Sequence, residues 1–337
     1  MPRIRVVLTS CPVLCVVASG SKMACTAPQT FYKADPALNN GKAGLTKNAK
    51  KAILLLGQPS FITVACGKCI GCRLQRSYEW SLRIMHENKL HGVDGSFITL
   101  TYDDEHVPSD FGLDYNDFQL FMHRLRRRMP GCGRFFMSGE YGEEFGRPHF
   151  HAILFNCQFP DKKFWKVVDG NNYYTSEVLS GLWLNKGFCT IGDVTLTSAG
   201  YVARYAMKKI SGPMAGEVYQ YVDGDGEVHD RLPPFCHMSL KPGIGYEWFQ
   251  RYHSDVFPAD HLVYDGRKFP VPRYYTKLWE AMQAAPGLMG TTDKFLRVKR
   301  RRSAMARDMK HHPDNQPRRL MARQEVARIN ADAKKRK

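Results

Sequence analysis

The sequence has no run of about 20 uninterrupted apolar residues, so nothing in it reads as a membrane-spanning helix. It also lacks the long apolar helix face that would have to accompany its basic residues in a membrane-surface protein. Acid is scarce: 32 Asp and Glu stand against 49 Lys and Arg, a formal charge of +17 at pH 7. Such an excess calls for a polyanionic partner, and with the membrane set aside that partner is nucleic acid. The 10 cysteines, irregularly spaced in 337 residues, are not the framework of a small secreted disulfide-rich domain; they read as reduced, with one cluster able to hold a metal. The acidic turn Asp223-Gly224-Asp225-Gly226 is too short for a calcium loop. What is present is 43% hydrophobic residues, enough to bury the core of one large domain or two small ones. The charge is uneven: Lys294 to Lys337 holds 16 Lys and Arg against 4 Asp and Glu, so most of the excess sits at that end.

Composition divides the chain into four stretches. In residues 1–22, Arg3 and Arg5 precede an apolar run from Val6 to Gly20 that Pro12 interrupts, the layout of a weak signal peptide. Met23-Ala24-Cys25 opens a polar loop and reads better as the start, which makes 1–22 an upstream or dispensable leader. Residues 23–64 form an extended arm of Gly, Asn, Pro and Lys that closes on a short strand from Ser60. Residues 65–290 carry the main domain, and 291–337 a basic tail suited to phosphate contact. At the domain's start, Cys66-Gly67-Lys68-Cys69-Ile70-Gly71-Cys72 presents three thiolates at metal-binding spacing, with Cys25 the candidate fourth. The expected ion is a structural Zn²⁺, and reduced cysteines in a tight turn are the alternative. An iron–sulfur site would want a further cysteine shortly after Cys72, which is missing.

Apolar periodicity predicts a helix over 71–90, with Leu74, Tyr78, Ser81 and Met85 on one stripe and Arg73, Arg76 and Arg83 off it as a basic surface. Strands are predicted at 96–102, 134–140 and 188–196. An amphipathic helix over 116–129 buries Phe118, Phe121, Met122, Leu125 and Met129 and loads its last turn with Arg124, Arg126, Arg127 and Arg128. Asp103-Asp104-Glu105 reads as a solvated turn. Residues 164–182 show no resolvable pattern. Residues 217–229 read as a hairpin, and the aromatic, Pro-rich stretch 246–275 either packs on the core or stacks on unpaired bases.

The chemistry concentrates in two places. Arg147 to Phe155 reads as a strand, so His149 and His151 share one face while Phe150 points into the opposite layer. The return from the preceding strand brings Glu140 close as a third ligand; Glu143 and Glu144 are weaker candidates. Further on, Thr197-Ser198 offers a helix N-cap, and the helix runs to Ile210 before Ser211-Gly212-Pro213 ends it. On it Tyr201 and Tyr205 stack on one face about 6 Å apart along the axis, with Lys208 on the same side. Arg204 and Lys209 join Arg73, Arg76, Arg126 and Arg127 as candidates for the DNA backbone. Taken singly, these are structural histidines and core aromatics. Taken together, they suit a hard cation, Mg²⁺ or Mn²⁺, on a mixed nitrogen and oxygen set beside a phosphodiester. A tyrosine phenolate is then the nucleophile. A hydrolase needs neither tyrosine, so the pair points to strand transfer.

His149-Phe150-His151 with Tyr201-x-x-x-Tyr205-x-x-Lys208 resembles the two-tyrosine HUH endonucleases that initiate rolling-circle replication. The chain is similar, more closely, to the replication initiators of gokushovirus-like microviruses, small single-stranded DNA phages. That likeness is carried by the Cys66–Cys72 cluster with its following Arg73-Leu-Gln-Arg76, Phe97-Ile-Thr-Leu-Thr-Tyr-Asp103, Gly139-Glu-Tyr-Gly-Glu143, Gly146-Arg-Pro-His-Phe-His151, Tyr201-Val-Ala-Arg-Tyr205, Pro242-Gly-Ile-Gly245 and Arg273-Tyr-Tyr275. It runs from Met23 to Tyr275, and residues 1–22 depart from it. The resemblance implies an α+β fold, a central antiparallel sheet flanked by helices with an RRM- or ferredoxin-like core. It implies nicking at an origin, a 5′-phosphotyrosine, a free 3′-OH and rejoining of the displaced circle. The implied partners are single-stranded and supercoiled origin DNA with the host helicase and polymerase, in the host bacterial cytoplasm. The competing readings are a non-catalytic zinc-containing DNA-binding protein and an HUH transposase or relaxase.

Overall fold

Strands that bury both faces must alternate between two cores, and the sequence around the histidines does so. In the computed structural model, which describes residues 25–41, 44–55, 57–91, 94–142, 146–205, 219–222, 224–283, 293–311 and 313–335, the chain divides into two compact units. One is Arg76–Val298; the other takes the segments on either side, up to Gln75 and from Lys299. The 1–22 leader, Glu143 and Glu144, Lys208 and Lys209 and the expected helix end at 206–213 lie outside the described residues.

The segment before Gln75 holds β1 (Gln29–Ala34), β2 (Gly44–Thr46), β3 (Leu54–Leu55), β4 (Gln58–Pro59) and β5 (Phe61–Val64). They form a three-stranded antiparallel sheet in the order β2-β1-β5 and a separate β3–β4 pair. Helix α1 (Ile70–Asn88) follows.

The larger unit is built on β6 (Ser96–Thr101), α2 (Tyr115–Arg128), β7 (Phe135–Tyr141), β8 (Pro148–Leu154), β9 (Lys163–Val168), β10 (Asn171–Thr175), α3 (Glu177–Leu182), β11 (Cys189–Asp193), α4 (Leu196–Tyr205), the small pair β12 (Gln220–Val222) and β13 (Val228–Asp230), and β14 (Phe235–Met238). Seven of these strands make one antiparallel sheet in the order β14-β7-β8-β6-β11-β10-β9. The fold is α+β, as expected. Helices α5 (Tyr246–Val256) and α6 (Arg273–Gln283) flank the pair β15 (His261–Tyr264) and β16 (Arg267–Pro270). The basic tail folds into α7 (Asp293–His311) and α8 (Pro317–Lys335).

Each face of the sheet has its own core. On one, Ile98, Leu100, Phe150, Ala152 and Leu154 pack with Phe118, Phe121, Met122 and Leu125 of α2 and with Leu179, Leu182 and Trp183 at α3. On the other, Phe97, Phe136, Ile153 and Phe155 pack with Ile84 and Met85 of α1 and Ala199, Val202 and Ala203 of α4. Burying a large apolar side chain contributes about 1.5–3 kcal/mol, so the two layers fix which residues of β8 face which way. The 164–182 stretch, opaque in sequence, is the β9–β10 hairpin followed by α3. Its edge strand β9 is exposed along its length, so no buried alternation marks it.

Two expectations are corrected. The N-cap of α4 is not at Thr197-Ser198: Ser198 N donates to Thr195 Oγ1 (3.1 Å) while Thr195 N donates to Ser198 Oγ (2.8 Å), a reciprocal cap that starts the helix at Leu196. Arg83 is not part of a phosphate-facing surface. Its guanidinium lies between the Trp80 and Tyr274 rings, 3.9 Å from each centroid, and its Nε donates to the Ile244 carbonyl. Desolvation there pulls it down to about 10.

Candidate active site

The register of β8 builds the site. Glu140 on β7 is the cross-strand partner of His149, while His151 faces Ser138 on β7 and Thr99 on β6. Side chains of directly opposed residues on one face meet. Here Glu140 Oε1 lies 3.2 Å from His149 Nε2 and 2.7 Å from His151 Nε2. One ligand atom from each of the three residues falls within 4.8 Å of the others. Glu140 and His151 are buried and His149 half-buried. Phe150 between them is fully buried in the opposite core, as the strand alternation predicts.

The outer nitrogens are held. His149 Nδ1 lies 3.0 Å from the Arg147 carbonyl, and His151 Nδ1 2.9 Å from Thr99 Oγ1. A carbonyl only accepts, so Nδ1 of His149 carries a proton; Nε2, which faces Glu140, donates to the carboxylate when the ring is protonated and offers a lone pair to a cation when it is neutral. Burial pushes the Glu140 carboxyl up, but the hydrogen bonds and charges of His149 and His151 outweigh it and hold the carboxylate below its ordinary value. One ionised carboxylate oxygen and two imidazole Nε2 atoms converging on one point make a mixed oxygen and nitrogen donor set, so these residues fit a divalent metal. Arg147 is itself fixed, donating to the Tyr102 carbonyl (3.1 Å) and pairing with Asp104. The turn acid Asp104 therefore anchors the start of β8.

Helix α4 brings Tyr201 alongside. Its small buried stripe, Ala199, Val202 and Ala203, packs on β7 and β8, which leaves Tyr201 half-buried with its ring edge-on to His151 at 5.1 Å between centroids. Phe97 stacks on His151 at 5.6 Å and meets the Tyr201 ring edge-on at 6.4 Å, and the Arg204 guanidinium lies 5.9 Å from the Tyr201 ring. Tyr205 ends α4, one helical turn past Tyr201.

The basic candidates lie on several elements. Arg126 and Arg127 are exposed at the end of α2, which packs on the sheet face opposite the histidines; Arg126 also donates to the Gly133 carbonyl. Arg76 is exposed and Arg73 half-buried on α1. In the other unit, Cys25, Cys66, Cys69 and Cys72 come together, their sulfurs also within 4.8 Å of one another, and this group too could hold a metal. Sequence reasoning missed Thr99, Phe97 and the Arg147 carbonyl. The even spacing of Thr99 and Thr101 along a strand was the available signal, but which strand they would pair with was not.

The family model described as "Replication-associated protein ORF2/G2P" matches residues 95–210, a span that includes Glu140, both histidines and both tyrosines. The chain is 32% identical over 233 residues to Replication-associated protein ORF2 of Spiroplasma virus 4, covering 65% of this chain and 68% of that one. The chain belongs to this family of phage replication-associated proteins. It is also 39% identical over 220 residues to Replication-associated protein VP4 of Bdellovibrio phage phiMH2K (62% of this chain, 65% of that one). To Replication-associated protein ORF4 of Chlamydia phage 1 it is 28% identical over 222 residues (63% and 52%). The match thus spans just under two thirds of the Bdellovibrio phage protein and about half of the Chlamydia phage protein. No solved structure matches the chain. Among the described residues of this replication-associated protein, no helix is long and apolar enough to cross a membrane.

Proposed function

We propose that this protein is a replication initiator that nicks phage DNA at its origin by tyrosine transesterification and later rejoins the displaced single-stranded circle. The observation that carries the reading is the convergence of Glu140, His149 and His151 beside Tyr201 on α4. Glu140 Oε1 and the two Nε2 atoms would hold Mg²⁺ or Mn²⁺, which when bound polarises a phosphodiester oxygen and offsets its developing charge. Tyr201 or Tyr205 attacks phosphorus as the phenolate. The new bond is tyrosine oxygen to phosphorus and the broken bond is phosphorus to O3′. The phenol loses one proton and the departing 3′ oxygen gains one, leaving a 5′-phosphotyrosine and a free 3′-OH. The second tyrosine can cut the newly made origin while the first still holds the old end, and a 3′-OH attacking the phosphotyrosine reverses the chemistry to close the circle. Arg204, beside Tyr201, is placed to offset phosphate charge, and Lys208, by its spacing from Tyr205, would lower the phenol's pKa or offset that charge. Single-stranded and supercoiled origin DNA are the substrates of this reading, with host helicase and polymerase as partners in the host bacterial cytoplasm.

The test is a nicking reaction on labelled origin DNA with Mg²⁺ or Mn²⁺, resolved on denaturing gels. A metal-dependent protein–DNA adduct, lost in the Tyr201→Phe/Tyr205→Phe double variant and in His149→Ala, is the expected result. DNA binding with no adduct on the phage's own origin would overturn the reading in favour of a non-catalytic binding protein.

A further inference from the structure

The four clustered cysteines have the geometry of a second, closed site. Cys66 Sγ lies 4.0 Å from Cys72 Sγ, and Cys69 Sγ 3.9 Å from Cys25 Sγ. Four thiolates held tetrahedrally at about 2.3 Å from one Zn²⁺ stand roughly 3.8 Å apart, whereas a disulfide requires about 2.05 Å. The local sequence builds the arrangement. Gly67, at φ 73°, makes the turn inside Cys66-Gly67-Lys68-Cys69. That turn lets the Lys68 and Cys69 amides donate to Cys66 Sγ at 3.5 and 3.3 Å. The Cys66 amide donates to Cys25 Sγ (3.2 Å) and the Thr26 amide to Cys69 Sγ (3.4 Å). Amide donors favour the thiolate over the thiol. Cys69 also immediately precedes α1, and Cys72 lies in its first turn, where the helix dipole favours anionic sulfur.

A second observation says what such an ion would do. In the unit that carries these cysteines, the buried apolar side chains among the described residues are Cys25, Ala34, Ala52, Cys72 and Leu320, and two of those are the cysteines themselves. Its strands are mostly exposed: β1, β2 and β5 bury only Ala34. A small unit without an apolar core needs a staple, and binding free energy at a structural metal is folding free energy.

We propose that Cys25, Cys66, Cys69 and Cys72 bind one Zn²⁺ as a closed tetrathiolate site, and that this ion is the folding core of the unit formed by the N-terminal arm and the C-terminal helix. Four sulfur ligands leave no open position, so the site is structural and not catalytic. It clasps the start of the arm to α1, and Thr26, next to Cys25, passes the order on through its hydroxyl to Gln324 Oε1 on α8 (2.8 Å).

The experiment uses the full-length protein, purified under reducing conditions without added metal. Elemental analysis should find close to one zinc per chain, and exchange with Co²⁺ should give thiolate-to-cobalt charge transfer and the intense visible bands of a tetrahedral ion. Stripping the zinc with a chelator should open residues 25–75 and 299–335 to protease while 95–205 stays protected, and added Zn²⁺ should restore protection. Cys66→Ser and Cys69→Ser should lose the zinc. Alkylation of the wild-type chain is a readout independent of how those variants fold: the four thiols should be protected until chelator is added. Alkylation equally fast with and without chelator, peptide mapping that finds Cys25–Cys69 and Cys66–Cys72 disulfides, or bound iron in place of zinc would each overturn the proposal. None of these results depends on nicking activity.

Discussion

Thr99→Val tests the reading of the His/Glu site through a residue that is not itself a ligand. For Nε2 of His151 to bind a metal, Nδ1 must carry the ring proton, and that proton's partner is Thr99 Oγ1 at 2.9 Å. Valine keeps the β-branched shape that the strand favours and removes only the hydroxyl. With His151 buried, the metal-competent tautomer then strands an N–H at a cost of about 1–3 kcal/mol. The metal-free protein avoids that cost by moving the proton to Nε2, which faces Glu140 at 2.7 Å. The penalty therefore falls on metal binding and not on folding, and Kd should rise about 10–100-fold, the usual effect of losing a ligand's outer hydrogen bond. Titration calorimetry with Mn²⁺ measures it, with thermal melting of the metal-free proteins as the control. A Kd within about twofold of wild type, in a variant that melts normally, would refute the argument that Thr99 sets the His151 tautomer.

Other perturbations probe the frame. Trp183→Ala removes a fully buried ring that packs against Tyr102, Phe121 and Phe150 and whose Nε1 donates to the Thr101 carbonyl; it should cost about 3–5 kcal/mol, read as a lowered thermal midpoint, and a change under about 1 kcal/mol would contradict the packing. Gly187→Ala should destabilise as strongly as a core deletion, because Gly187 has φ 144° and a Cβ there runs into the backbone of Thr101, Tyr102 and Asp103; a soluble variant with an unshifted melting curve would be inconsistent with this turn. His86 is buried against Trp248 (3.6 Å between ring centroids) and beside Tyr275 Oη at 3.0 Å, and desolvation pulls it down to about 3. Since the unfolded chain takes up that proton near pH 6.5, the contribution is complete above pH 6.5 and is lost as pH falls, by roughly 2 kcal/mol at pH 5. His86→Phe should flatten that part of the pH dependence of the urea midpoint, and an unchanged slope would exclude His86 as its source.

How much of this was legible in the sequence depends on which force placed each residue. Phe118, Phe121, Met122 and Leu125 announce α2 by spacing alone, because burial of one stripe decides a helix. The alternation through Phe150 gave the two faces of β8 for the same reason. The β9–β10 hairpin was illegible because its edge strand is held by backbone pairing and buries nothing. The start of α4 was misplaced by two residues because Thr195, Thr197 and Ser198 are all competent caps, and only the reciprocal pair of bonds between Thr195 and Ser198 separates them. Arg83 read as a surface cation because its partners, Trp80 and Tyr274, are nearly two hundred residues apart.

The site itself rests on register, which sequence does not print. Glu140 and His149 are nine positions apart on either side of a turn, and they meet only because β7 and β8 pair as Glu140 with His149 and Ser138 with His151. A slip of one residue would set Glu140 opposite Phe150 and turn the carboxylate away from both imidazoles. The hydrophobic alternation resists that slip, since it would carry Phe150 and Ala152 out of their core. The turn resists it as well: the Gly142 amide donates to the Arg147 carbonyl at 2.9 Å, closing the hairpin at a fixed length. That same carbonyl faces His149 Nδ1 at 3.0 Å. One oxygen therefore both pins the register that brings Glu140 to the histidines and fixes the tautomer that points His149 Nε2 at it. The placement of the ligands and their protonation are thus consequences of a single backbone position.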